Sequence, residues 1–67
     1  MSQAARIWRH LRRTGRIDPL TALRRFGCFR LAARIAELRR AHPGRIRTVL
    51  QHRGSAHYAQ YRLERRP

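Results

Sequence analysis

The stretch that decides the fold is DPLTALRRFGCFRLAARIAELRRAHPG, residues 18–44. Asp18-Pro19 opens a helix, because the carboxylate accepts from free first-turn N–H groups and proline's fixed φ suits the first helical position. Leu20, Leu23 and Phe26 then repeat at helical spacing over a short run, about 19–26, that Gly27 closes. After Gly27-Cys28 a second run, about 29–41, carries Leu31, Ile35 and Leu38 as its apolar stripe. His42-Pro43-Gly44 stops it. Two helices joined by one short turn, with a glycine to supply the backbone freedom of that turn, have helix–turn–helix spacing.

Upstream, Ala4, Ile7, Trp8 and Leu11 fall at i, i+3, i+4 and i+7, which predicts an amphipathic helix over about 3–14. Ser2 caps its start and Gly15 ends it. Arg16-Ile17-Asp18 is too short for a helix and reads as an extended link or a short strand. Downstream, Arg45 to Gln51 is β-branched and roughly alternating, His52-Arg53-Gly54-Ser55 is a turn, and Ala56 to Leu63 carries Tyr58, Tyr61 and Leu63. This predicts a hairpin over about 45–63, with 64–67 frayed. An isolated hairpin is unstable. It is therefore expected to lay Ile46, Leu50, Tyr61 and Leu63 on the helices, with Ile17 adding a third strand. The expected fold is mainly α with a small β-hairpin. It is a single winged helix-turn-helix domain over 1–67, with three helices, a short strand and a C-terminal two-stranded wing.

The chain has 67 residues, so its core is small and every apolar side chain counts. Its 17 basic residues are all arginine, against Asp18, Glu37 and Glu64, for a net charge of +14. A folded body so charged repels itself unless a polyanion neutralises it. Nucleic acid is the first candidate and an anionic membrane the second. The planar arginine fork suits phosphate and guanine. A coding bias accounts equally well for the missing lysines, but not for the scarcity of acids. With 42% apolar residues in periodic patterns, the composition is not that of a disordered tail.

On a helical wheel of the third helix, Phe29, Ala33, Glu37 and Arg40 lie opposite the apolar stripe, with Arg30 and Ala36 beside them and Arg34 and Arg39 on the flanks. The first residues of a recognition helix usually touch bases. Ala33 allows close approach, and Arg30 reaches a guanine edge or a phosphate. Phe29 either meets a thymine methyl or folds back on the second helix. Arg34 either contacts the DNA backbone or pairs with Glu37 or Asp18. Glu37 is better placed as an i,i+3 partner of Arg34 than as a reader of cytosine. Arg53 at the hairpin tip reaches a phosphate or the minor groove, or is a solvated turn residue. Arg45 and Arg47 line the approach to the wing. Arg9, Arg12 and Arg13 form a solvated helix face that adds to the positive field, with phosphate contacts as the alternative.

Other chemistries find little support. Three scattered acids offer no catalytic pair, so an enzyme is not expected. His10, His42, His52 and His57 lack metal-ligand spacing, and no cofactor or metal site is expected. Cys28, the only cysteine, is either a reactive thiol at a helix start or a small packing residue, and no internal disulfide can form. Neither a membrane span nor a signal peptide is visible, so the expected location is the cytoplasm, at the nucleoid.

The stretch GRIDPLTALRRFGCFRLAARIAELRR, followed by Ile46, Thr48, Tyr61 and Leu63, resembles a family of small winged helix-turn-helix domains of bacteria, phages and prophages. The matching positions are Gly15, Ile17, Pro19, Leu20, Ala22, Leu23, Gly27, Arg30 to Ile35, Leu38 and Arg39. The resemblance implies the fold and a DNA-binding role, and supplies no catalytic residues; the expected role is that of a small phage- or prophage-type transcriptional regulator or an architectural factor. The leading expectation is a binder of double-stranded DNA. Because one small domain reads a half-site weakly, a homodimer on a palindrome is one option, although no dimer helix is evident. The alternatives are a module that docks on a host or phage protein, with Phe29 and Trp8 as anchors, and an RNA binder without a visible stacking platform. A membrane-active first helix ranks last, because Ile7 and Trp8 are needed in the core.

Overall fold

A computed structural model describes residues 2–64. The elements are α1 (Gln3–Thr14), β1 (Arg16–Ile17), α2 (Pro19–Phe26), α3 (Leu31–Ala41), β2 (Ile46–Arg53) and β3 (Ala56–Leu63). The expected order of three helices, short strand and hairpin is the observed one.

The helix ends follow local chemistry. The Ser2 hydroxyl accepts from the Ala5 amide at 3.1 Å and starts α1. Gly15, at φ 86°, closes it by donating to the Leu11 carbonyl at 2.8 Å. Asp18 caps α2 by accepting from the Thr21 amide at 2.8 Å. Gly27, at φ 61°, ends it in the left-handed conformation that an L side chain resists. The third helix begins at Leu31, two residues later than expected. Cys28 turns into the core, and the turn needs Phe29 and Arg30 as well. The Arg30 carbonyl is the first to accept, from the Ala33 and Arg34 amides.

Between the helices lies one apolar cluster: Ile7 and Leu11 of α1, Ala22 of α2, Cys28, Leu31, Ile35 and Leu38 of α3, with Ile17, Ile46 and Tyr61 from the sheet. Trp8 and Phe26 pack against it. Cys28 is thus a packing residue. The expected stripe of α2 is corrected: Leu20 is 53% exposed and Leu23 is also exposed, while Ala22 is fully buried. The inward line of α2 is Ala22 and Phe26, one turn apart. The alanine has little bulk to hold α2 away from its neighbours, and the Phe26 ring meets His10 of α1 edge-on, centroids 5.6 Å apart.

The sheet is antiparallel in the order β1-β3-β2. Ile17 pairs with Tyr61, and β2 runs in register with β3 from Ile46–Leu63 to Arg53–Ala56. The loop is therefore only Gly54-Ser55. Gly54 sits at φ 62° and Ser55 keeps a negative φ, as in the two-residue turn that has glycine first. His52 and Arg53, expected in the turn, belong to the strand. Of the residues expected to lie on the helices, Ile46 and Tyr61 do so and Leu63 is half-buried. Leu50 is 61% exposed, so that expectation fails there: the helices leave this side chain uncovered. Glu64, expected to fray, is held: its amide donates to the Arg45 carbonyl at 2.6 Å. The rest of the expected tail, 65–67, lies outside the described residues.

Candidate nucleic-acid interface

Helix α3 divides its surface between core and exterior. Leu31, Ile35 and Leu38 are buried, and Ala32, Ala36, Arg39 and Arg40 are exposed. Ala33, Arg34 and Glu37 are only half-exposed, so the outward face is rotated from the expected Ala33–Glu37–Arg40 line toward Ala32, Ala36 and Arg40. The apolar stripe alone could not show this, since a wheel takes no account of neighbours that cover one flank. The outward face is shallow and small at its middle, with arginines at its ends, which is a shape that a groove admits.

At its entrance stands Phe29, 86% exposed. It does not fold back on α2, so that alternative is excluded. Phe29, Arg30 and Ala33 share a shallow depression with Pro19, Ala32 and Tyr61. Arg30 occupies the cap position of α3 without a side-chain hydrogen bond to the helix. The first-turn amides thus lack a side-chain acceptor, at the helix end that favours an anion.

The three acids are all engaged. Asp18 caps α2. Glu37 Oε2 lies 2.8 Å from Arg34 Nε, so of the alternatives for Arg34 the structure shows the pair with Glu37, the partner expected for Glu37. The two atoms are shielded from water without hydrogen-bond alignment, so their attraction is mainly coulombic. Glu64 Oε1 lies 3.1 Å from Arg47 Nε. The Glu64 carbonyl accepts from Arg45 Nε at 3.3 Å, and the Arg45 guanidinium stands 5.9 Å from the Trp8 ring centroid. Arg45 and Arg47 therefore gather at the base of the hairpin. Arg53 is at the opposite, distal end, exposed beside the two-residue loop.

Sequence reasoning left Arg39 on a flank and gave it no role. Its Nη2 donates to Thr48 Oγ1 of β2 at 2.6 Å, and its guanidinium stands 5.8 Å from the Tyr61 ring centroid. Arg39 thus joins α3 to the sheet. No signal in the local pattern separates it from Arg40, since the difference lies in which neighbour each meets.

Trp8 stacks on His42, ring centroids 3.9 Å apart and nearly parallel. This locks the end of α3 to α1 and uses Trp8 in the fold. Among the described residues, no group of three or more metal-ligating side chains converges and no helix is long and apolar enough to cross a membrane.

Compared with known families, residues 2–66 match the family described as a winged helix-turn-helix domain. No curated protein and no solved structure matches the chain.

Proposed function

The chain belongs to the winged helix-turn-helix domain family, and from that premise we propose that it binds double-stranded DNA as a small regulator or architectural factor, of the kind that bacteria and their phages carry. Helix α3 lies in the major groove. Phe29 and Arg30 enter first, Ala32 and Ala36 allow the close approach, and Arg40 holds a phosphate. The hairpin lies alongside and carries Arg53 to the backbone or the minor groove. The observation that carries this reading is the composition of the exposed α3 face: small side chains at its centre and cations at both ends, on a chain of net charge +14. Phosphate contacts supply most of the affinity, so binding falls steeply with salt.

The test is fluorescence-anisotropy binding to random duplex DNA across a salt series, with Arg30→Ala and Arg53→Ala alongside. Each lost phosphate contact reduces the slope of log K against log salt by about 1. An affinity that ignores salt would refute the reading. Binding that is steeply salt-dependent but unmoved by either change would mean that diffuse charge, not α3 and the wing, holds the DNA.

A second reading, docking on a protein partner, is favoured by one observation, the free-standing ring of Phe29. A pulldown from nuclease-treated lysate separates the two, because a partner held through DNA is lost there and one held through Phe29 is kept.

A further inference from the structure

Arg16, Arg62 and Arg47 stand in one row across the whole sheet. Arg16 of β1 pairs in register with Arg62 of β3, which pairs in turn with Arg47 of β2. Side chains alternate along a strand. Ile17, Tyr61 and Ile46 enter the core, so their neighbours Arg16, Arg62 and Arg47 point the other way. The apolar cluster, with the inward side of α3 among its members, lies between this row and the exposed face of α3.

Like charges directly opposite one another in a sheet are destabilising. Here three are in line and one carboxylate, Glu64, answers them, at Arg47. Among the described residues, Arg16 and Arg62 meet no acid. Instead, Arg62 is positioned: its Nε donates to Gln60 Oε1 at 2.7 Å. Sequences break a local rule of this kind most often at functional sites. Neighbouring strands lie about 4.8 Å apart, so the row spans about 10 Å. Along the axis of a duplex, that length of one strand carries about three phosphates.

We infer that the outer face of the sheet is a second binding surface for the phosphodiester backbone of duplex DNA, through Arg16, Arg62 and Arg47, so that one chain holds two DNA segments on opposite sides of its core. This rests on the chain being a DNA binder and adds a second contact to the one through α3.

The experiment is a two-duplex capture. Protein is bound to a short biotinylated duplex on beads, washed, and offered a second, fluorescent duplex. The variant Arg16→Gln/Arg62→Gln is compared with Arg9→Gln/Arg12→Gln, which removes the same charge from α1. The inference expects the sheet variant to capture about tenfold less of the second duplex while holding the first within about threefold, and the α1 variant to behave as wild type. The sheet variant should also unfold at higher urea than wild type, since two opposed charges are gone. Wild-type protein that captures no second duplex, or equal losses in the two variants, overturns the inference. Failure of every form to hold the first duplex overturns the DNA-binding reading itself.

Discussion

Arg39 of α3 and Thr48 of β2 are joined by a 2.6 Å hydrogen bond from guanidinium to hydroxyl, the one side-chain hydrogen bond between α3 and the hairpin among the described residues. The bond is exposed to water, so its worth in stability is about 1 kcal/mol or less. Its larger effect is on geometry, since it holds the helix and the wing in one arrangement for a ligand that contacts both. Thr48→Ala should lower the urea midpoint only slightly and weaken duplex binding severalfold, while Thr48→Ser restores both. Denaturation and anisotropy on the three forms check this. If Thr48→Ala binds DNA as wild type does, the tie has no part in recognition.

Phe29 distinguishes a surface contact from a core contact by stability alone. A phenylalanine packed in a core costs about 3–5 kcal/mol when cut to alanine. One as exposed as Phe29 should cost about 0.5 kcal/mol or less. Phe29→Ala is expected to fold normally and to lose about tenfold in duplex affinity, the scale of one apolar base contact. Because the contact is apolar, the salt slope should stay as it is. A lowered melting temperature with unchanged affinity would contradict this.

The pair Arg34–Glu37 restrains a cation beside the exposed face of α3. An i,i+3 pair at the surface is worth about 0.5 kcal/mol or less. Glu37→Gln should therefore leave stability almost unchanged. It should tighten binding to random duplex DNA, because it removes a negative charge and releases Arg34 toward phosphate. A titration at fixed salt reads the change directly. Were Glu37 instead to read a cytosine, the same change would weaken binding to the preferred site.

His10 gives the fold a pH dependence. Partial burial lowers its pKa below the ordinary imidazole value, and the charges of Arg25 and Arg13 lower it further. The folded protein thus binds a proton less readily than the unfolded chain, and stability increases with pH between the two pKa values. The contribution is complete above the unfolded value near 6.5 and is lost as the pH falls below it toward the folded value. Urea midpoints at neutral and mildly acidic pH should converge in His10→Gln relative to wild type. Equal pH dependence in both forms would exclude His10 as its source.

Much of this molecule is legible along the chain because its signals are local. Ser2, Asp18, Gly15 and Gly27 act within a few residues of themselves, by capping an amide or taking a left-handed φ, and each does so in the structure. The helical repeat of Leu31, Ile35 and Leu38 marks a buried side whatever lies against it. The periodicity around Tyr61 and the glycine at the turn are enough for a hairpin.

The candidate site was less legible. Phe29, Arg30 and Ala33 do come together at the start of α3. Arg45 and Arg47 both meet Glu64, a residue that their own strand gives no reason to expect. The wheel of α2 favours its leucines, because hydrophobicity is all that it weighs. In the fold Ala22 faces inward, and Leu20 is left outside.

By itself the sequence determined which segments are helical, where they stop, which stripe of α3 is buried and how positive the whole surface is. Caps, periodicity and charge count depend only on residues close in the chain or on their sum. Only the tertiary structure decided which flank of α3 faces outward, that Arg39 meets Thr48, that the helices leave Leu50 uncovered, and that Arg16, Arg62 and Arg47 stand in one row. Those relations join residues far apart in sequence. They exist only after the chain has closed its core around Ile7, Leu11, Ile17 and Ile35, because that packing sets which neighbours each surface side chain meets.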